Sequence, residues 1–163
     1  MPTIMFDDGF SKLEKTILAK TFLANAKMLD MHKDDFSVQV NKVVIKGGPK
    51  HYARVARLAK DFFLMEINSN GFNLFDATSA LGHEAVRMKQ YVSGALKDDH
   101  KGSYWKDNFF SHFIVALSGN DVPWEQEAWE LQGKLHKHAV ESLNPEHRKH
   151  IDRKQSHGLN RLW

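Results

Sequence analysis

The chain contains no cysteine, which excludes a disulfide scaffold, a thiolate zinc finger and a thiol nucleophile together. It has only four prolines, and no run of about 18 apolar residues that would read as a membrane-spanning helix. The opening MPTIMFDDGF lacks the charged start and long apolar stretch of a secretion signal, so export by a signal peptide is not expected. Internal repeats and low-complexity tracts are absent as well. What remains is the composition of a folded domain. Hydrophobic residues make up 42% of the 163 and charged residues 26%, enough for a core and of a length that suits one domain.

Charge is unevenly spread. The formal net charge is +3, yet residues 1–144 carry 18 Lys or Arg against 18 Asp or Glu. The excess lies in residues 145–163, PEHRKHIDRKQSHGLNRLW, with five basic residues, two acidic ones and three His. The chain therefore divides into a neutral globular part, 1–144, and a basic C-terminal tail, 145–163. A short basic tail reads first as a solvated appendage, and the functional alternative is a docking arm for phosphate or an acidic partner surface. Leu159, Leu162 and Trp163 favour docking, because a Trp buries a large area once it finds a groove. With Ile151 these are the only clear apolar anchors, too few to offset the entropy of ordering, so contacts with a partner are expected to order the tail. Nucleic acid is not the expected partner. The aromatic cluster Tyr104, Trp105, Phe109, Phe110 and Phe113 is interleaved only with Lys106 and Asp107, which reads as packing and not as a base-stacking surface.

Periodicity places the elements. Residues 9–30 have a helical apolar spacing through Phe10, Leu13 and Ile17. Residues 36–46 alternate and are rich in Val and Ile, as strands are. Gly47, Gly48 and Pro49 break the chain. HYARVARLAK, 51–60, suits a short helix, and FFLMEIN, 62–68, a buried strand. A turn over 68–73 leads into a long helix from about Asp76 to Gly94. Residues 97–122 are rich in turn formers. The last helix opens near Pro123 and closes at Leu143, before Asn144-Pro145. These elements describe one α+β domain, dominated by helices, with a small sheet.

The chemistry is concentrated in 76–91, DATSALGHEAVRMKQY. On a helix, Ala77, Ala80, Leu81, Ala85, Met88, Tyr91, Val92 and Ala95 form one apolar stripe with Glu84 near its middle. A carboxylate there must be paired, coordinated or protonated, since burying it alone costs several kcal/mol. His83 and Arg87 lie one turn apart on the border of the stripe. This geometry resembles the His-Glu-x-x-His helix of zinc metallopeptidases, with Arg87 in place of the second His. Lys89-Gln90-Tyr91, then Trp105-Lys106 and Pro123-Trp124-Glu125-Gln126-Glu127-Ala128, are similar in order to elements of a zincin-like family encoded by phages. The resemblance covers about residues 76–135.

That resemblance implies a zincin-like domain in which Glu84 is the general base of a zinc-bound water and His83 is a metal ligand. An acidic ligand would come from the later helix: Glu127 is preferred because it stands directly before the Ala, with Glu125 as the alternative. On the residues alone, both acids are accounted for by the positive end of the helix dipole. Arg87 changes the expectation. A guanidinium has no lone pair to offer a metal, and a catalytic zinc needs three protein ligands. His100, His112, His136 and His138 are available in sequence, but nothing places any of them; His136 and His138, two apart, face different ways on a helix. The simpler expectation is that Arg87 blocks the metal position and satisfies Glu84 and Glu127 itself, so that the site binds no cofactor. The reading that follows is a degenerate metallopeptidase-like phage protein, retained as a structural or adaptor component of a virus particle. Its expected partners are other virion proteins or copies of itself, in the virion or the host cytoplasm, without a membrane. The alternative is an active zinc-dependent peptidase with a rewired ligand set.

Overall fold

Ser11 starts the first helix by a reciprocal cap. Its Oγ accepts from the Glu14 amide at 3.1 Å while Glu14 Oε1 accepts from the Ser11 amide at 2.9 Å, satisfying two amides that the first turn leaves without partners. In the computed structural model, which describes residues 1–46 and 52–158 with side chains as far as 151, this helix, α1, spans Lys12–Met28. The expected break at Gly47, Gly48 and Pro49, and the apolar residues Leu159, Leu162 and Trp163, lie outside the described residues.

Four strands form the main sheet: β1 (Thr3–Phe6), β2 (Ser37–Val43), β3 (Ala53–Ala59) and β4 (Phe62–Asn68), in the order β1-β2-β4-β3. β1, β2 and β4 run parallel, and β3 closes the edge antiparallel to β4. Period-two alternation sends Val38, Val40, Phe63, Met65 and Ile67 to the helix side, where they are fully buried with Phe22, Leu81 and Met88.

β3 corrects the helix expected over 51–60. Its Ala, Arg and Leu residues are good helix formers, but pairing with β4 outweighs local propensity. Arg54 Nε donates to Glu66 Oε1 at 2.8 Å across the pair. Arg57 donates to the carbonyls of Ala59 and Lys60 around the tight Lys60-Asp61 turn, and to the Tyr91 carbonyl. None of these partners is visible within the decapeptide.

The long central helix, α2 (Leu74–Val92), begins two residues earlier than its apolar pattern, because Asn73 Oδ1 caps it by accepting from the Asp76 amide at 2.8 Å. Gly94, at φ +78°, ends it. The turn-rich region resolves into a three-stranded meander, β5 (Leu96–Asp98), β6 (Gly102–Trp105) and β7 (Asn108–Ser111), followed by the short helix α3 (His112–Ser118) and one 3-10 turn, Gly119–Asp121. Trp105 and Phe110 pack on Trp124, with ring centroids 6.3 and 5.3 Å apart. Two of the five aromatic residues therefore pack on the core, while Phe109 and Phe113 face solvent.

Helix α4 (Pro123–Glu141) follows, with Pro123 in its first turn, and then α5 (Pro145–Gly158). Asn144-Pro145 does stop α4, but the segment beyond it is helical and not loose from its start. Ile151 is buried with Ile17 and Leu143, so this segment is anchored on its own domain at least that far. The chain is a mixed α+β domain, helix-dominated with two small sheets. Among the described residues no helix is long and apolar enough to cross a membrane.

Candidate functional site

Helices α2 and α4 share the most extensive helix–helix contact in the domain. Their partners run in opposite directions. Thr78 meets His136, Ser79 meets Gln132, His83 meets Trp129, and Gln90 meets Trp124. The two helices are therefore antiparallel. Gly82 lets them pack closely: a Cβ there would lie 3.5 Å from Leu135 Cβ and 3.6 Å from the Gln132 carbonyl oxygen.

This packing brings His83, Arg87 and Glu125 together. His83 Nε2 lies 3.0 Å from Glu125 Oε2, and Arg87 Nη1 pairs with Glu125 Oε1. One carboxylate thus takes both partners, one on each oxygen. Glu127, the carboxylate preferred from the sequence, instead accepts from Gln90 Nε2 at 2.8 Å. The difference is one of rotation about the α4 axis. Glu125, Trp129 and Gln132 follow an i, i+4, i+7 line that faces His83, whereas Glu127 stands on the other flank of the stripe, opposite the end of α2.

Arg87 likewise does not bridge Glu84 and Glu127 as expected. Glu84 is buried, with 7% of its surface accessible, and its charged neighbours His83 and Arg87 pair with Glu125 instead. Burial pushes its pKa from 4.5 up to about 7, and the nearby His83 and Arg87 only partly counter this. Burial also lowers the pKa of His83, with Arg87 acting in the same direction and Glu84 opposing it. Around these residues sits a supporting shell, of which the sequence pattern marks Tyr91 but not Trp129, Gln132 or Asp98. Trp129 stands edge-on to the His83 ring at 4.6 Å. The Gln132 carboxamide contacts the same ring and donates to Ser79 Oγ at 2.9 Å. Beyond Arg87, the Tyr91 hydroxyl donates to Asp98, and its pKa is pushed up to about 12, chiefly by burial and then by that bond. Gln90 is marked in the sequence by the Lys89-Gln90-Tyr91 element of the family resemblance. Trp129 and Gln132 could be found only once the rotation of α4 was known.

The other histidines considered as ligands are placed elsewhere. His136 is bonded to Thr78 Oγ1 at 2.9 Å, and its ring packs against Phe75. His112 contacts the His100 carbonyl oxygen at 3.2 Å. His138 lies in the last turn of α4. Among the described residues no group of three or more His, Asp or Glu side chains converges as metal ligands would. The donors that face one another are His83 and Glu125, one short of a catalytic zinc set, and Glu125 already holds a guanidinium. Comparison with protein families, curated proteins and solved structures finds no match to this chain.

The buried Glu84 makes stability depend on pH in a defined direction. Its folded pKa lies above its ordinary value, so the folded state holds a proton that the unfolded state releases between pH about 4.5 and 7. Its contribution to stability is present at the acid end of that window and is lost as pH rises through it. Burial of His83, which lowers its pKa, acts in the opposite direction. Comparing wild type with Glu84→Gln isolates the carboxylate. Chemical denaturation at pH 5 and pH 8 should show the variant gaining about 2.5 kcal/mol relative to wild type between the two. Parallel pH profiles would show that Glu84 is not held protonated.

Proposed function

We propose that this is a zincin-like domain in which the guanidinium of Arg87 stands where a metal-binding imidazole would be, and that it does not hydrolyse peptides. In this reading the fold is kept as a shape, a structural or adaptor component of a phage particle, as the motif resemblance implies. It would work in the virion or host cytoplasm against other virion proteins or copies of itself. One observation carries the reading: both oxygens of Glu125 are taken, one by His83 and one by Arg87. An acidic residue in that position serves a metal only when it is free to coordinate, and here a fixed cation already neutralises it.

The test is the zinc content of protein purified without chelators, measured beside its hydrolysis of unstructured peptides. The expected result is well under one equivalent of zinc and no cleavage above background. About one tightly held equivalent, lost in His83→Ala, would overturn the reading. It would restore the alternative of an active peptidase with a rewired ligand set and Glu84 as general base.

A further inference from the structure

Helix α3 buries none of its residues. Phe113 is 70% and Leu117 69% exposed, one helical turn apart, and Ile114 on the same helix and Phe109 in the strand that leads into it are also in solvent. Among the described residues no other stretch of nine leaves four large apolar side chains in water. Together they present on the order of 400 Å² of apolar surface, the size of the patches by which soluble domains bind partners. A face-to-face dimer buries about 800 Å² on each side, so the patch suits a slender segment better than a second copy of itself.

Its surroundings are acidic. Residues 98–121 carry Asp98, Asp99, Asp107 and Asp121 against Lys101 and Lys106. Asp98, Asp99 and Asp107 line a shallow concavity with Lys97 and Tyr104. The Tyr104 ring lies 5.1 Å from that of exposed Phe109, so the hollow borders the strand that leads into α3. A fitting occupant is basic and ends in large apolar groups. Residues 152–163, DRKQSHGLNRLW, have that composition: Arg153, Lys154 and Arg161 against Asp152, then Leu159, Leu162 and Trp163. They enter here by sequence alone. They follow Ile151, which is anchored against Leu143 just past the far end of α4, whereas α3 leads into the near end of α4. The 19 residues of α4 set these two points about 28 Å apart. A donor at one end and an acceptor at the other is the arrangement of head-to-tail association.

We infer that residues 109–117 and the adjoining acidic hollow receive the 152–163 segment of a second copy of this chain, joining copies head to tail. The inference does not depend on whether the site between α2 and α4 binds metal.

Sedimentation velocity of the full chain, of a chain truncated after Gly158 and of a Phe113→Asp/Leu117→Asp variant tests it. The full chain should associate beyond a dimer as concentration rises, and each variant alone should stay monomeric. An equimolar mixture should form a one-to-one pair and nothing larger, because one variant keeps the segment and the other keeps the patch. Raising salt from about 0.05 to 0.5 M should weaken association roughly tenfold. Trp163→Ala should reproduce the truncation. A full chain that stays monomeric to about 0.5 mM would overturn the inference, including the case in which the segment folds onto its own domain. So would a truncated chain that still associates, or two variants that fail to pair.

Discussion

Arg87→His should raise zinc affinity by roughly three orders of magnitude over the wild type. Positions 83 and 87 lie at i and i+4 on α2, so the substitution sets two imidazoles one turn apart on the face that meets Glu125. Removing the guanidinium also frees Glu125 Oε1, its present partner. Three protein ligands would then share one point, the number a catalytic zinc requires. Arg87→Ala frees the same oxygen but adds no donor, and it should leave zinc binding as weak as in the wild type. Competition with a chromophoric chelator, run on wild type and both variants, measures the difference. Equal affinity in Arg87→His and Arg87→Ala would mean that positions 83, 87 and 125 do not share a ligand geometry. Regained hydrolysis is a separate matter. Glu84 must be ionised to act as a base, and burial holds its pKa near 7.

The second large effect is on stability. Glu125→Ala should destabilise the domain by about 3–5 kcal/mol, because it leaves the buried Arg87 cation without its carboxylate. Both side chains of the pair are more than four-fifths buried, at 18% and 16% accessibility, so solvent cannot replace the lost partner cheaply. For a domain of this length that corresponds to a fall in Tm of roughly 10 °C. The double variant Arg87→Met/Glu125→Leu removes both charges and should recover most of the loss, since an apolar pair of similar volume needs no compensation. Thermal and urea denaturation of the two variants and wild type gives the comparison. A double variant as unstable as Glu125→Ala would mean that the loss comes from packing and not from an unpaired charge.

Much of the fold was legible in the residues because its signals are local. The apolar spacing of α1, α2 and α4, Gly94 after α2, Pro123 at the head of α4 and Asn144-Pro145 after it each act within a few residues of where they stand. The alternation in 36–46 and the apolar run 62–68 likewise marked β2 and β4. Segment 51–60 reads as helix by itself because its strand character comes from pairing with β4 and from the Tyr91 carbonyl that Arg57 reaches, both outside it. The burial of Glu84 could be foreseen, since its place on the α2 stripe depends only on helical period.

The composition of the site was thus determined by the sequence: a His, a Glu and an Arg on one face of α2, and two carboxylates in the first turns of α4. Which of those carboxylates serves the site was decided by tertiary structure alone. Glu125 and Glu127 flank the same stripe, and helical period places one on each side without saying which side meets His83. The antiparallel packing of α4 on α2, close at Gly82, turns Glu125 towards His83 and Arg87 and leaves Glu127 to Gln90. Arg87 follows the same rule. Its charge and its lack of a lone pair are properties of the residue, but its choice of Glu125 over Glu84 depends on which carboxylate the facing helix brings within reach. Local chemistry can name the groups in a site, whereas the rotation of one helix against another, set by side chains throughout the interface, decides which of them touch.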